Sequence, residues 1–200
     1  MKTIVINAGP KRKGLNAQIA KSVVDGAESA GSEVEYVDLY KFDLHGCMSC
    51  LICKKKDPCK CYWRDEVSPL IDRILDADSL IIVAPIFFTE PTSHYRALIE
   101  RLIFCIVSYD VGNAFKGKIN VGLIYTVNYS KDYFEESVRP HLKQSEELFK
   151  MLNGKFEIHT FENISQNAYS KDDDISLKSK EEQFLHDLDE SFVIGARLSN

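Results

Sequence analysis

Two stretches of this chain, Ile4-Val5-Ile6 and Leu80-Ile81-Ile82-Val83-Ala84, are apolar at every position. A strand with one wet face alternates apolar and polar residues, whereas one apolar throughout has both faces covered. Short strand-like runs occupy Thr3–Asn7, Glu33–Leu39, Leu80–Ala84, Asn120–Tyr125 and Phe156–Phe161. Between and after them lie longer helical patterns over Asn16–Ala30, Glu66–Ala77, Thr92–Val107, Tyr133–Leu152 and Ser176–Leu198. This alternation predicts an α/β sandwich with a five-stranded parallel sheet and helices on both faces. Right-handed crossovers leave the strand order 2-1-3-4-5 as the natural candidate. In such a sheet ligands bind beyond the carboxyl ends of the strands, which directs attention to the segments after strands one, three and four.

The 200 residues suit one domain over 1–200, without repeats, long linkers or low-complexity tracts. Lys171-Asp172-Asp173-Asp174 reads as a polar turn before the last helix. No apolar run approaches the roughly 20 residues of a membrane span, and the first residues read as a strand and not as a signal peptide. A cytoplasmic, membrane-free protein is therefore expected. The net charge of −5 argues against a general nucleic-acid binder. Six basic side chains against two acidic ones nevertheless make residues 41–64 an island of positive charge. That island coincides with a cysteine-rich loop at 46–64.

Strand one runs into Asn7-Ala8-Gly9-Pro10-Lys11-Arg12-Lys13-Gly14-Leu15-Asn16-Ala17, where a helix begins. Glycines let a backbone approach a ligand closely, and the unpaired N–H groups of a helix N-terminus favour an anion. Lys11, Arg12 and Lys13 add charge, and Asn16 offers an amide. The spacing is neither a Walker loop nor a dinucleotide Gly-x-Gly-x-x-Gly. After strand three, Pro85-Ile86-Phe87-Phe88 places two aromatic side chains at a strand end. Five of the six cysteines, Cys47, Cys50, Cys53, Cys59 and Cys61, fall within fifteen residues. Such a cluster in a reducing compartment indicates metal or redox chemistry more than disulfides. Cys105 lies in an apolar run and reads as a core residue.

These segments together resemble the NADPH-dependent FMN reductase and iron–sulfur flavoprotein family, whose fold is flavodoxin-like. The family's phosphate loop reads Gly-Ser-Pro-Arg, a spacer, then Gly-Asn-Ser/Thr; this chain keeps Pro10, a basic Lys11 and Gly14, and departs at Gly9, Leu15 and Asn16. Ala84-Pro85-Ile86-Phe87-Phe88 is similar to the family's Ser-Pro-Val-Tyr loop. The resemblance implies FMN, with Gly9, Lys11, Gly14, Leu15, Asn16 and Ala17 at its phosphate, Pro85, Ile86, Phe87 and Phe88 at its ring, and Thr126 in a third loop on the pyrimidine side. It implies an FMN-dependent oxidoreductase with NAD(P)H as donor, in a homodimer or homotetramer. One alternative is an iron–sulfur electron carrier fed by a ferredoxin-like protein; another is a non-catalytic redox-sensing or metal-binding module.

The cysteine spacing resembles the compact motif of iron–sulfur flavoproteins, in which one loop wraps a [4Fe–4S] cubane. Zinc, or a loop without metal, stays open. Cys47, Cys50 and Cys53 supply three ligands. Counting forward from Cys53 selects Cys59 as the fourth, counting back from Asp65-Glu66 selects Cys61, and the forward count is taken. The five histidines are dispersed, and no catalytic acid or base is assigned.

Overall fold

The computed structural model describes residues 1–162 and 174–200. Three strands, β1 (Lys2–Asn7), β2 (Glu33–Asp38) and β3 (Ser79–Phe87), precede the hairpin strand β4 (Glu90–Pro91) and the small hairpin β5 (Val107–Ser108) and β6 (Gly112–Asn113). The sheet is completed by β7 (Ile119–Thr126) and β8 (Asn153–Phe161). Its parallel order is β2-β1-β3-β7-β8, with β4 folded back antiparallel on β3. Counted along the five long strands, this is the expected 2-1-3-4-5.

The helices are α1 (Leu15–Ser29), a single turn α2 (Ile52–Lys55), α3 (Val67–Leu75), α4 (Ser93–Ile106), the short α5 (Lys131–Tyr133), α6 (Arg139–Glu147) and α7 (Asp174–Leu198). They cover both sheet faces because β1, β3 and β7 are buried along nearly their whole length. One face packs Ile4, Ile6, Leu80, Ile82 and Leu123 against α3 and α4; the other packs Val5, Ile81, Val83 and Ile124 against α1 and α7. The polar turn expected at Lys171–Asp174 begins outside the described residues. No helix among those described is long and apolar enough to cross a membrane.

The helix expected over Tyr133–Leu152 is broken. A π-helical stretch, Phe134–Val138, separates α5 from α6, and the segment ends in a 3-10 turn over Leu148–Leu152. Pro140 in the first turn of α6 has no N–H to donate backward, so an unbroken α-ladder could not pass through it. Strand β8 starts earlier than expected, at Asn153, with a register irregularity against β7. Gly154 permits this: a Cβ there would lie 2.0 Å from the Ile119 carbonyl oxygen.

Helices α1 and α7 cross at a pair of glycines. A Cβ built on Gly26 would stand 1.9 Å from the Phe192 carbonyl oxygen, and one on Gly195 would stand 2.1 Å from that of Val23. These neighbours are backbone, so neither can swing aside. Gly195→Ala is expected to destabilise the fold by about 1–3 kcal/mol through overpacking, despite the better helix propensity of alanine. A urea melt reading unchanged or increased stability would show that the crossing is looser than this.

Candidate functional site

Asn7 ends β1 as a buried amide in an apolar strand, and its bonds explain its place. Its Nδ2 donates to Asp38 Oδ1 (3.0 Å), and its Oδ1 accepts the Gly9 N–H (3.0 Å). Tyr36 donates to the same Asp38 oxygen at 2.8 Å, and Lys41 pairs with Asp38 at 3.1 Å. Burial works to raise the Asp38 carboxyl, but the bonds from Asn7 and Tyr36 and the Lys41 ammonium hold it below the usual range. The carboxylate stays charged and fixes Asn7, which fixes the loop.

The loop turns at Gly9, where a Cβ would meet Asn16 Nδ2 at 2.7 Å. Asn16 is buried, and its Oδ1 accepts the Thr126 hydroxyl. The first helical bond of α1 runs from Gln18 N–H to the Gly14 carbonyl, and no side chain caps the helix. The N–H groups of Leu15, Asn16 and Ala17 are thus the orphan donors of the first turn. Lys11, Arg12 and Lys13 stand exposed beside them, and none forms an ion pair among the described residues. The arrangement is receptive to a phosphate. The expected anion-loop residues Gly9, Lys11, Gly14, Leu15, Asn16 and Ala17 therefore lie in one loop and one helix start.

The second segment lies at the carboxyl end of the adjacent strand. Pro85 and Ile86 are buried in β3, whereas Phe87 is 49% and Phe88 92% exposed. Phe88 and Thr89 form the two-residue turn between Phe87 and Glu90, with φ of +51° and +71°. Two-residue hairpins favour positive φ at both centres but normally place Asn or Gly there. Thr92 ties this segment to the first: its hydroxyl donates to the Ala8 carbonyl (2.9 Å) and accepts the Tyr95 N–H at the start of α4. Thr126 ends β7 beside them with its hydroxyl engaged by Asn16, so its direct role is to orient that amide. At the same sheet edge the His94 ring stacks on Tyr40, centroids 3.8 Å apart, and burial holds the imidazole below its ordinary pKa. Replacing Phe88 by Asn and Thr89 by Gly should relieve positive-φ strain worth about 1–3 kcal/mol per residue. A raised melting temperature for the cofactor-free protein is the expected reading; a lowered one would count against strain at this turn.

The cysteine segment leaves β2 and crosses towards α4. Cys47, Cys50, Cys53 and Cys61 line one pocket with Leu51, Trp63, Arg101 and Phe104, and Cys105 lines it as well. Cys59 does not line this pocket; its N–H donates to the Cys105 carbonyl (2.9 Å), and Lys54 and Lys116 are its charged neighbours. The forward count chose Cys59, whereas of the two candidates for a fourth ligand it is Cys61 that lines the pocket of the first three. Cys59 is in the left-handed region at φ +68°. Ser49 and Leu51 adopt positive φ as well, at +50° and +59°. The thiols share the pocket without converging: among the described residues no three potential ligands come close enough to hold a metal ion. Cys105 is buried, donates to the Leu102 carbonyl (3.1 Å), and has its thiol pushed far up by burial, in keeping with a core residue.

A sequence model of the NADPH-dependent FMN reductase family matches residues 1–162. The chain belongs to that family. The match covers all three loops at the carboxyl edge of the sheet and the whole cysteine segment. An iron–sulfur flavoprotein of Methanocaldococcus jannaschii is 25% identical over 122 residues, 61% of this chain and 62% of that protein. One of Methanosarcina thermophila is 26% identical over 97 residues, 48% of this chain and 50% of that protein. The matched stretch thus spans between half and two thirds of these relatives. Among solved structures, an NAD(P)H:quinone oxidoreductase from Methanothermobacter marburgensis superposes with a TM-score of 0.77 at 14% identity, covering 100% of this chain and 98% of that one. An FMN-dependent NADH-azoreductase from Bacillus anthracis, solved with FMN, gives 0.71 at 14% identity over 100% of both chains. These likenesses establish the flavodoxin-like fold. For a chain of the FMN reductase family, Asn7, Asp38 and Thr92 are the site-supporting residues that sequence reasoning passed over. A buried Asn closing an apolar strand was the one signal available for them.

Proposed function

We propose that this chain is an FMN-dependent oxidoreductase that takes electrons from NAD(P)H. The observation that carries the reading is the uncapped start of α1, with three orphan N–H groups and three exposed cations, beside the exposed Phe87–Phe88 turn. Leu15, Asn16 and Ala17 would hold a phosphate through their backbone donors, with Thr126 keeping Asn16 in place and Lys11 adding charge. Phe87 and Phe88 would cover an aromatic ring and exclude water from it, offsetting the cost of holding Phe88 in the open. A single anion loop with no second nucleotide fingerprint favours FMN over FAD. When bound, FMN supplies a centre that accepts hydride and releases electrons singly or in pairs, while the protein orients it and sets its potential. No side chain is needed as an acid or base for hydride transfer, and none is assigned.

A second reading, an iron–sulfur flavoprotein receiving electrons from a ferredoxin-like carrier, is favoured by one pocket gathering four thiols of the cysteine segment beside the core residue Cys105. Cys47, Cys50, Cys53 and Cys61 would hold a [4Fe–4S] cluster, which supplies a one-electron relay. The left-handed residues at 49 and 51 cost free energy that a bound ligand can offset. Lys54, whose ammonium donates to the carbonyls of Phe104 and Val107 at the end of α4, brings a cation to the loop.

Protein purified without oxygen should be coloured. Released cofactor should chromatograph as FMN, and rapid mixing with NADH, NADPH or reduced ferredoxin should identify the donor. A colourless protein that takes up no added FMN would end the first reading; flavin without iron or sulfide would end the second.

A further inference from the structure

Arg101 carries a full charge at 2% exposure, the most buried cation among the described residues. Its guanidinium reaches from α4 to the limb leaving the cysteine loop. Both Asp65 oxygens accept from it, as do Ser68 Oγ (2.8 Å) and Cys61 Sγ (3.3 Å). Asp65 has its own duty, accepting the N–H groups of Val67 (3.1 Å) and Ser68 (3.0 Å) at the start of α3. A bidentate carboxylate already gives a buried guanidinium its partner. The contact with Cys61 is therefore not required to keep Arg101 buried. A neutral thiol is a weak acceptor, whereas a sulfur bound to iron carries negative charge and is a good one.

Resting on the cluster reading given above, we propose that Arg101 is the positioning residue that makes Cys61, and not Cys59, the fourth cluster ligand, and that its charge holds the cluster's potential up. Three observations converge on it. Cys61 shares the pocket with Cys47, Cys50 and Cys53; Cys59 does not; and Cys61 is the cysteine that a buried guanidinium touches. Adding an electron makes a thiolate-ligated cluster more negative. A fixed positive charge against a ligand sulfur, shielded from water, stabilises that reduced form. Asp65 pairs with the same guanidinium and, being negative, acts in the opposite sense.

The parent, Cys59→Ser, Cys61→Ser, Arg101→Gln, Arg101→Lys and Asp65→Asn would be reconstituted anaerobically with ferrous iron and sulfide. Iron and sulfide per chain, the reduction midpoint and the melting of each metal-free protein are read together. Cys59→Ser should keep the parent's iron, and Cys61→Ser should lose it. Arg101→Gln should hold iron roughly 10- to 100-fold more weakly, the usual cost of losing a group that orients a ligand, and shift the residual midpoint downward. Asp65→Asn keeps the acceptor for α3 and removes a negative charge, so its midpoint should move upward. A merely structural role would weaken both variants alike, without opposite shifts, and that pattern would overturn the proposal. So would the parent's iron content and midpoint in Arg101→Gln, or a full cluster in Cys61→Ser. Should Arg101→Gln fail to fold, Arg101→Lys decides. Lysine keeps the charge but loses the planar fork that grips both Asp65 oxygens while one of its nitrogens touches the sulfur, so parental iron retention there would overturn the assignment. A well-folded parent without iron or sulfide would remove the cluster reading itself and this inference with it, an outcome distinct from all the others.

Discussion

Serine at Cys47, Cys50 and Cys53 together is expected to leave the protein with no iron or acid-labile sulfide after anaerobic reconstitution, while FMN uptake persists. The loop has little part in the core: of these three residues Cys53 alone is buried, and Cys50 is exposed. Placing a hydroxyl at Cys53 buries a polar group at a cost of about 1–3 kcal/mol, which a folded domain of this size tolerates. The phosphate loop and the Phe87–Phe88 turn do not include the cysteine segment, so the two cofactors should be separable. Cluster loss should slow delivery of single electrons to an acceptor more than reduction of the flavin by NAD(P)H. Iron analysis beside stopped-flow kinetics reads both. Iron retained at the parent's level in the triple variant would place any metal elsewhere in the molecule.

The double change Lys11→Glu, Asn16→Asp should weaken FMN binding at moderate salt by roughly 100-fold or more. A like charge about 4 Å from a phosphate costs several kcal/mol at an effective dielectric of about 20, and each 1.4 kcal/mol is about tenfold in affinity. Asn16 bears most of this because it is buried, whereas Lys11 lies in solvent where salt screens it. The carboxylate introduced by Asn16→Asp would still accept the Thr126 hydroxyl, so the loop should keep its shape. Fluorescence titration of FMN measures the affinity, and circular dichroism checks the fold. An unchanged affinity would move the phosphate away from α1. Thr126→Val, which removes the hydroxyl holding Asn16, should give a smaller loss in the same assay.

The sheet was legible because its inner strands are apolar throughout, a pattern that few other architectures impose. The break before Pro140 was present in the sequence as well, but an apolar periodicity running through Tyr133–Leu152 masked it. Strands β4, β5 and β6 are two residues each, too short for any periodicity to register. The phosphate loop could be read because its chemistry is local: glycines, cations and a helix start are neighbours in the chain. The support for that loop could not, since Asp38 and Thr92 arrive from other strand ends. The choice between Cys59 and Cys61 lay out of reach for the same reason. Spacing along a loop does not say which thiol shares a pocket with the first three; the contact of Cys61 with Arg101, forty residues away, is visible in the fold alone.

Helix α4 touches both the phosphate-loop segment and the cysteine pocket. Thr92, its cap, holds the Ala8 carbonyl of the phosphate loop, and Arg101 holds Cys61. At a rise of about 1.5 Å per residue these points lie roughly 14 Å apart along the axis. The helix therefore fixes the distance between those two contacts, where a loop would allow a range. Inserting one residue between Thr92 and Arg101 would turn the guanidinium about 100° around the axis and aim it away from the sulfur. Insertions in the surface loops leave that separation alone. A change of length within this helix alters the distance between those two contacts.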